Sequence, residues 1–306
     1  MEHPDVAAAR SQQPVGPVWP WRCRGVPRRP FVMRDSMLNN LLTLPFCAGL
    51  LLSLLGCGSA PKPSRELRVC ADPNNLPFSN QRQEGFENHL ADLIARELGD
   101  TVRYTWQPQR RGFLRNTLNA HACDVVMGMP LGSDHVLTTR PYYRSSYVFV
   151  SRKERHLSVR SLDDPVLRKL RIGVQLVGDD YANTPPVHAL SRRGIVKNLV
   201  GYSVLGDYSQ QNPPARIIDA VIARDVDVAL AWGPMAGYFA KKSPTPLELV
   251  PVSPEVDPPG LRFAFDISLA VRPEDTVRMK ELEGILERRR TDIDSILRDY
   301  GVPLAE

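Results

Sequence analysis

Leu67-Arg-Val-Cys-Ala-Asp-Pro-Asn-Asn-Leu-Pro-Phe-Ser-Asn80, followed by Phe86-Glu-Asn-His-Leu-Ala-Asp-Leu-Ile-Ala-Arg-Glu-Leu98, decides the fold. The first stretch opens as a short apolar strand. It then breaks into Asp-Pro, Asn-Asn and Leu-Pro, residues that turn a chain and present polar groups. The second stretch changes period. Phe86, Leu90, Leu93/Ile94 and Leu98 recur at helical spacing, and Gly99 stops the run. A strand, a polar loop and an amphipathic helix make the first unit of an α/β chain.

Outward from that unit the periods keep alternating. Residues 102–106 read as a strand, 112–120 as a helix and 124–129 as a strand. A change of lobe is expected near Tyr147-Val-Phe-Val150 and the charged run after it. A second series follows: strand 170–174, helix 181–192, strand 195–202, helix 213–224 opened by Asn-Pro-Pro, and strand 226–232. The Pro-rich stretch 251–260 reads as a return linker, before strand 263–271 and a charged helical region over 274–300. Such short strand–helix links predict parallel sheets. The expectation is two α/β lobes, residues 66–152 with 261–306 and residues 153–260, joined by two crossings around a cleft. Ligand clefts of such sheets lie at the carboxyl ends of the strands.

The bulk numbers fit that size. The chain has 306 residues, 42% hydrophobic and 24% charged, with a formal charge of +5. Residues 1–56 hold six arginines against Glu2, Asp5 and Asp35, a net +3, which leaves only +2 elsewhere. Nucleic-acid binding requires basic residues gathered into one patch with stacking or groove-reading partners, and no such patch is visible. Arg288-Arg289-Arg290 and Lys241-Lys242 read as solvated faces.

Residues 37–57 are apolar and end in a small residue before a cysteine, an export segment that Pro45 keeps from being a long membrane span. Leu54-Leu55-Gly56-Cys57 resembles a bacterial lipobox, which makes Cys57 the lipidated first residue of a mature periplasmic chain. Leu55 is bulkier than the residue usual at its place, so cleavage to a soluble form is the alternative. Residues 1–32, rich in Pro and Arg, fit no export design, and the expected start is Met33 or Met37. Residues 57–65 are then a Pro/Ser tether. Without the leader and Cys57, Cys70 and Cys123 remain, a natural pair in an oxidising compartment.

The whole pattern resembles the type II periplasmic solute-binding proteins, in the family 3 branch that includes amino-acid receptors. The resemblance spans residues 65–303. Asp124-Val-Val-Met-Gly-Met129 followed by Pro141-Tyr142-Tyr143 matches the family's strand and aromatic-lined wall, and residues 219–230 match its second-lobe helix and strand. Amino-acid receptors usually seat a ligand carboxylate on an arginine nine residues before the Pro-Tyr, where this chain has Gly132. Their helix start for the same carboxylate corresponds to Gly173-Val-Gln-Leu-Val-Gly-Asp-Asp-Tyr181, whose two aspartates repel such a group. Free amino acids are therefore poor candidate ligands.

A narrower resemblance lies in eight motifs in order. They are Cys70-Ala-Asp-Pro-Asn-Asn-Leu-Pro-Phe-Ser79, Pro108-Gln-Arg-Arg-Gly-Phe113, Cys123-Asp-Val-Val-Met-Gly128 and Thr139-Arg-Pro-Tyr-Tyr-Arg144. Gly206-Asp-Tyr208, Asn212-Pro-Pro-Ala-Arg216, Trp232-Gly-Pro234 and Tyr300-Gly-Val-Pro303 complete the set. Together they look like the periplasmic accessory proteins of quinoprotein methanol dehydrogenase systems (MxaJ/XoxJ type). That resemblance implies a non-enzymatic role beside a PQQ-dependent methanol dehydrogenase and its c-type cytochrome, in docking, maturation or activation. It implies no cofactor on this chain, PQQ and a metal belonging to the partner. The alternatives are the substrate-binding lipoprotein of an ABC transporter for an unidentified small molecule, and an enzyme on the same scaffold such as a dehydratase.

The expected cleft and partner residues follow. Asp72 and Asn74 read as an Asx/Pro turn, whereas Asn75 and Phe78 are expected on the cleft rim. Arg110 or Arg111 is expected to reach a carboxylate of a partner. Met129, Arg140 and Tyr142 are placed near the hinge, with Tyr143 the likelier core member of its pair. Gln175, Asp179, Asp180 and Tyr208 are placed on the second lobe's rim, and Trp232 is either an apolar wall or a stacking platform. The family puts the strands of Cys70 and Cys123 side by side. A simple register sets Val69 opposite Val125, leaving the cysteines three residues, roughly 10 Å, out of step. That exceeds disulfide reach unless a bulge or twist closes it, so bond and free thiols both stand. Ser133-Asp134-His135 are sequence neighbours that point apart, not a triad. No spacing for zinc or calcium is present.

Overall fold

The computed structural model describes residues 65–176, 183–203 and 208–305. Its strands in chain order are β1 (Glu66–Ala71), β2 (Asn74–Asn75), β3 (Ser79–Asn80), β4 (Thr101–Trp106), β5 (Val125–Pro130), β6 (Leu137–Thr138) and β7 (Tyr143–Arg152). They continue with β8 (Ile172–Leu176), β9 (Leu199–Ser203), β10 (Val228–Trp232), β11 (Leu247–Pro251), β12 (Val256–Asp257), β13 (Leu261–Arg262) and β14 (Ala264–Val271). The helices are α1 (Phe86–Leu98), α2 (Phe113–Asn116), α3 (Pro185–Arg192), α4 (Arg216–Ile222), α5 (Gly233–Lys242), α6 (Thr276–Arg288) and α7 (Arg290–Asp299).

One ten-stranded sheet runs β4-β1-β5-β14-β7-β10-β8-β9, with β6 beside β14 and β11 beside β7. Its two ends are parallel, as the short strand–helix links predict: β4-β1-β5 on one side and β10-β8-β9 on the other. The middle differs, because β14 returns antiparallel to β5 and to β7, and β7 is antiparallel to β10. Strand β7 is ten residues long and holds both halves. Tyr143–Ser146 pair with β14, and Tyr147–Ser151 pair with β10.

Each half is covered on both faces. In the first, α1, α6 and α7 lay Phe86, Leu90, Ile94, Leu282, Ile285, Ile293 and Leu297 over Leu67, Val69, Val125 and Met127. The opposite face carries Cys70, Cys123, Phe113, Leu118, Val126 and Ala270. In the second, α3 packs Val187 and Leu190 over Ile172, Val174 and Leu230, and α4 packs Ile217, Ile218 and Val221 against Val148, Val150 and Ala229. Burial on both faces suits the near-continuous apolar runs of β8 and β10.

Several sequence expectations change. The helix expected over 112–120 is one turn, α2, followed by turns, because Gly112 opens it at φ 85° and its C-cap Thr117 spends its hydroxyl on Phe113 O at 2.6 Å. The 213–224 helix starts as a 3-10 turn (Pro213–Ala215) before α4, since consecutive prolines remove two amide donors. Helix α5 and strand β11 lie where the sequence reading has none. Pro234 seemed to end a strand there but opens a helix, the position at which its missing N–H costs nothing.

The cysteines are bonded, with Cα atoms 5.5 Å apart. The register is indeed Val69 opposite Val125. The three-residue offset closes because the approach to β5 is bent rather than extended, with Asp124 N–H donating to Arg68 O and Arg272 donating to Cys123 O.

Candidate functional site

A cavity of about 410 Å³ opens where β5, β7, β10 and β14 meet the loop after β1 and the first turn of α1. Asn75, Phe78, Gln109, Tyr143, Tyr147, Trp232 and Phe265 are among the residues that line it. Period-two alternation selects the wall. Along β5, Gly128 and Pro130 face the cavity while Met129 packs toward the other face with Leu114 and Val136. Along β7, Tyr143 and Tyr147 face it. Tyr142 is buried under β5, its hydroxyl donating to Met127 O at 3.0 Å. Both tyrosines belong to the core, as expected of Tyr143, but it is Tyr143 and not Tyr142 that also reaches the cavity, and Met129 is not among its lining residues.

Trp232 ends β10 at the cavity, edge to face with Tyr147 at 5.4 Å and with Phe265 at 5.9 Å. Gln175 lies behind it and serves the fold. Its Oε1 accepts from Trp232 N–H at 2.7 Å and its amide contacts Met235 Sδ at 3.5 Å, which fixes the end of β10 and the start of α5. Arg140 also lies away from the cavity, its backbone N–H donating to Glu283 at 2.7 Å and its guanidinium pairing with Glu287 at 3.1 Å. The position is a strand end beside α6, so the nearest carboxylates are that helix's own. Asp179 and Asp180 lie outside the described residues, as does Cys57.

The rim is held across the two halves. Asp72 sits at the carboxyl end of β1 and accepts from Asn74 N–H at 2.8 Å, the expected Asx turn, and from Gln109 N–H at 2.7 Å. It also accepts from the Tyr208 hydroxyl of the second half at 2.6 Å. Asn74 donates to Gln210 O at 2.8 Å beside it, and Arg110 lies 5.6 Å from the centre of the Tyr208 ring. Burial first, and then the bond to Asp72, raise the Tyr208 phenol well above its ordinary value, so it remains a donor. Arg110 and Arg111 are exposed at this rim.

The sequence reading missed several lining residues, among them Gln109, Tyr147 and Phe265, and the most consequential is an acid. Glu87, in the first turn of α1, points its carboxyl into the cavity. The carboxyl takes the space a side chain at Gly128 would need, a Cβ there falling 2.2 Å from Glu87 Oε1. Among the described residues no hydrogen bond or ion pair reaches it. Burial, and then the charge of Asp72, push it up to about 8. Glu87 sits one turn before Ala91 and two before Ile94, both fully buried, so an acid on the apolar stripe was the available signal. No arginine, lysine or histidine lines the cavity, and no cluster of three metal-ligating side chains forms among the described residues. The arrangement offers apolar walls, a few amides and one acid.

The family of bacterial extracellular solute-binding proteins, family 3, matches residues 67–302. Protein MoxJ of Methylorubrum extorquens is 30% identical over 254 residues, 80% of this chain and 84% of that protein. The crystal structure of periplasmic binding protein XoxJ from Methylobacterium extorquens AM1 superposes with a TM-score of 0.64 at 37% identity, over 78% of this chain and 99% of that one. MxaJ from Methlophaga aminisulfidivorans MPT superposes at 0.68 with 29% identity, over 78% and 100%. With the two-half sheet and the cavity at its centre, these likenesses settle the family: the chain belongs to the bacterial extracellular solute-binding proteins, family 3.

Proposed function

We propose that this chain is a non-enzymatic periplasmic accessory protein that docks onto a PQQ-dependent methanol dehydrogenase and aids its maturation or activation. The likeness to MoxJ, XoxJ and MxaJ over nearly all of the described chain carries the reading. The cavity agrees with it. A receptor for free amino acids needs a cation or a run of backbone donors for the ligand carboxylate, and among the described residues no arginine, lysine or histidine lines this cavity while Glu87 does. PQQ and its metal belong to the dehydrogenase, and a c-type cytochrome completes the system. We assign Arg110 and Arg111, exposed at the rim, to the docking face, and Cys57 to a lipid anchor.

Interferometry of the purified protein against the same organism's methanol dehydrogenase, apo and holo, at two salt concentrations tests the reading. Saturable binding, micromolar or tighter and weakened by salt and by an Arg110→Glu/Arg111→Glu double substitution, is expected. Absence of binding to both forms rejects direct docking. The open cavity would then favour the second reading, a receptor for an ABC transporter, and a thermal-shift ligand screen would follow.

A further inference from the structure

We propose that the cavity binds a small organic ammonium cation, with the Glu87 carboxylate as its counter-charge and the rings of Phe78, Tyr143, Tyr147, Trp232 and Phe265 as its walls. The site goes beyond the docking role and stands or falls without it.

Three observations carry the proposal. The first is the lining: aromatic side chains converge on about 410 Å³, a volume suited to a small ligand. Aromatic walls are the surroundings in which alkylated ammonium ions bind, through the negative faces of the rings. The second is the charge. Among the described residues Glu87 is the one carboxyl of the lining, and no arginine, lysine or histidine shares the cavity with it. An ionised carboxylate in such surroundings is costly until an opposite charge joins it. The third is that the fold keeps the group there. Gly128 leaves room for the carboxyl, and the Glu87 carboxyl takes no hydrogen-bond partner among the described residues, whereas that of nearby Asp72 takes three.

The ionised group discriminates between ligand classes. Above its titration a ligand carboxylate would meet the charge of Glu87 with that of Asp72 close behind, and a neutral molecule would gain no ion pair. The charged and titratable groups that face Glu87 are Asp72 after β1, Tyr104 on β4, and Tyr142 and Tyr143 at the start of β7. Burial raises all three phenols, which leaves them neutral. With burial and Asp72 pushing Glu87 up to about 8, its carboxyl holds a proton at neutral pH, and a cation binding beside it displaces that proton.

Calorimetric titration of the purified protein with tetramethylammonium chloride, at pH 6.5 and pH 9 and constant ionic strength, tests the site. Neopentyl alcohol serves as the neutral isostere and glycine betaine as the carboxylate-bearing analogue. Saturable tetramethylammonium binding is expected, at least ten-fold tighter at pH 9 than at pH 6.5, with neither control bound comparably. Glu87→Gln should weaken the pH 9 affinity at least ten-fold and abolish its pH dependence, with the urea midpoint verifying that the variant is folded. No saturable binding at pH 9, equal binding of neopentyl alcohol, or a pH-independent wild-type affinity would each overturn the proposal. The wild-type pH comparison keeps it testable even if the variant misfolds.

Discussion

Asp72 at the rim and Glu87 in the lining are two neighbouring carboxyls that the fold treats in opposite ways. Asp72 accepts from two backbone amides and one phenol. Glu87 accepts from nothing among the described residues and is pushed up to about 8. A buried carboxylate with three donors is part of the scaffold, because each bond stabilises its ionised form. One with none, lining a cavity, is the group that the cation proposal assigns to binding. The difference separates a structural latch from a binding group without appeal to similarity.

Several substitutions can break or sharpen that contrast. Asp72→Ala should have the largest effect, a loss of about 3–4 kcal/mol by urea denaturation, because three donors lose a charged acceptor. A loss below about 1 kcal/mol would mean that the rim is not a latch. Next comes the pH dependence of Glu87. Its folded value lies above the unfolded value, so the native state binds the extra proton. Stability should therefore decline as pH rises from about 4.5 to about 8 and then level off. Glu87→Gln should remove that slope, gaining on the order of 2 kcal/mol over wild type at pH 9 and little at pH 4.5. Parallel curves for the two proteins would place the carboxyl in water.

Gly128→Ala tests the same group sterically. The new Cβ meets Glu87 Oε1, so the carboxyl must swing away, at a cost of about 1–2 kcal/mol. In a Glu87→Ala background the substitution should cost far less, and an equal cost in both backgrounds would deny the contact. Tyr208→Phe should be the smallest, about 1 kcal/mol, since one partly exposed bond is lost. Its clearer signature is faster amide exchange of Gln109 with unchanged exchange in α6.

Local pattern explains what the sequence yielded. Strand β1 and helix α1 were legible to within a residue, because a short strand rich in apolar residues and a 3.6-residue stripe depend on near neighbours only. Asn75, Phe78 and Trp232 were legible as cavity residues because they stand at strand ends, where a sheet's clefts form. Tyr142 was misplaced by a single residue: both rings are buried in one core cluster, 4.9 Å apart, and only Tyr143, the first residue of β7, reaches the cavity. Arg140 and Gln175 failed because their partners, Glu287 and Trp232 N–H, lie 147 and 57 residues away. Glu87 escaped notice because an acid in a first helical turn is ordinary, and only the sheet packed against α1 makes it exceptional.

The most direct measurement is the titration of Glu87 itself, followed by carboxyl-carbon NMR of protein labelled at glutamate and assigned with Glu87→Gln. Titration near 8, falling when tetramethylammonium is added, is the expected result. Titration near 4.5 and indifferent to the cation would show a hydrated surface acid, and the account of the cavity as a cation site would fail with it.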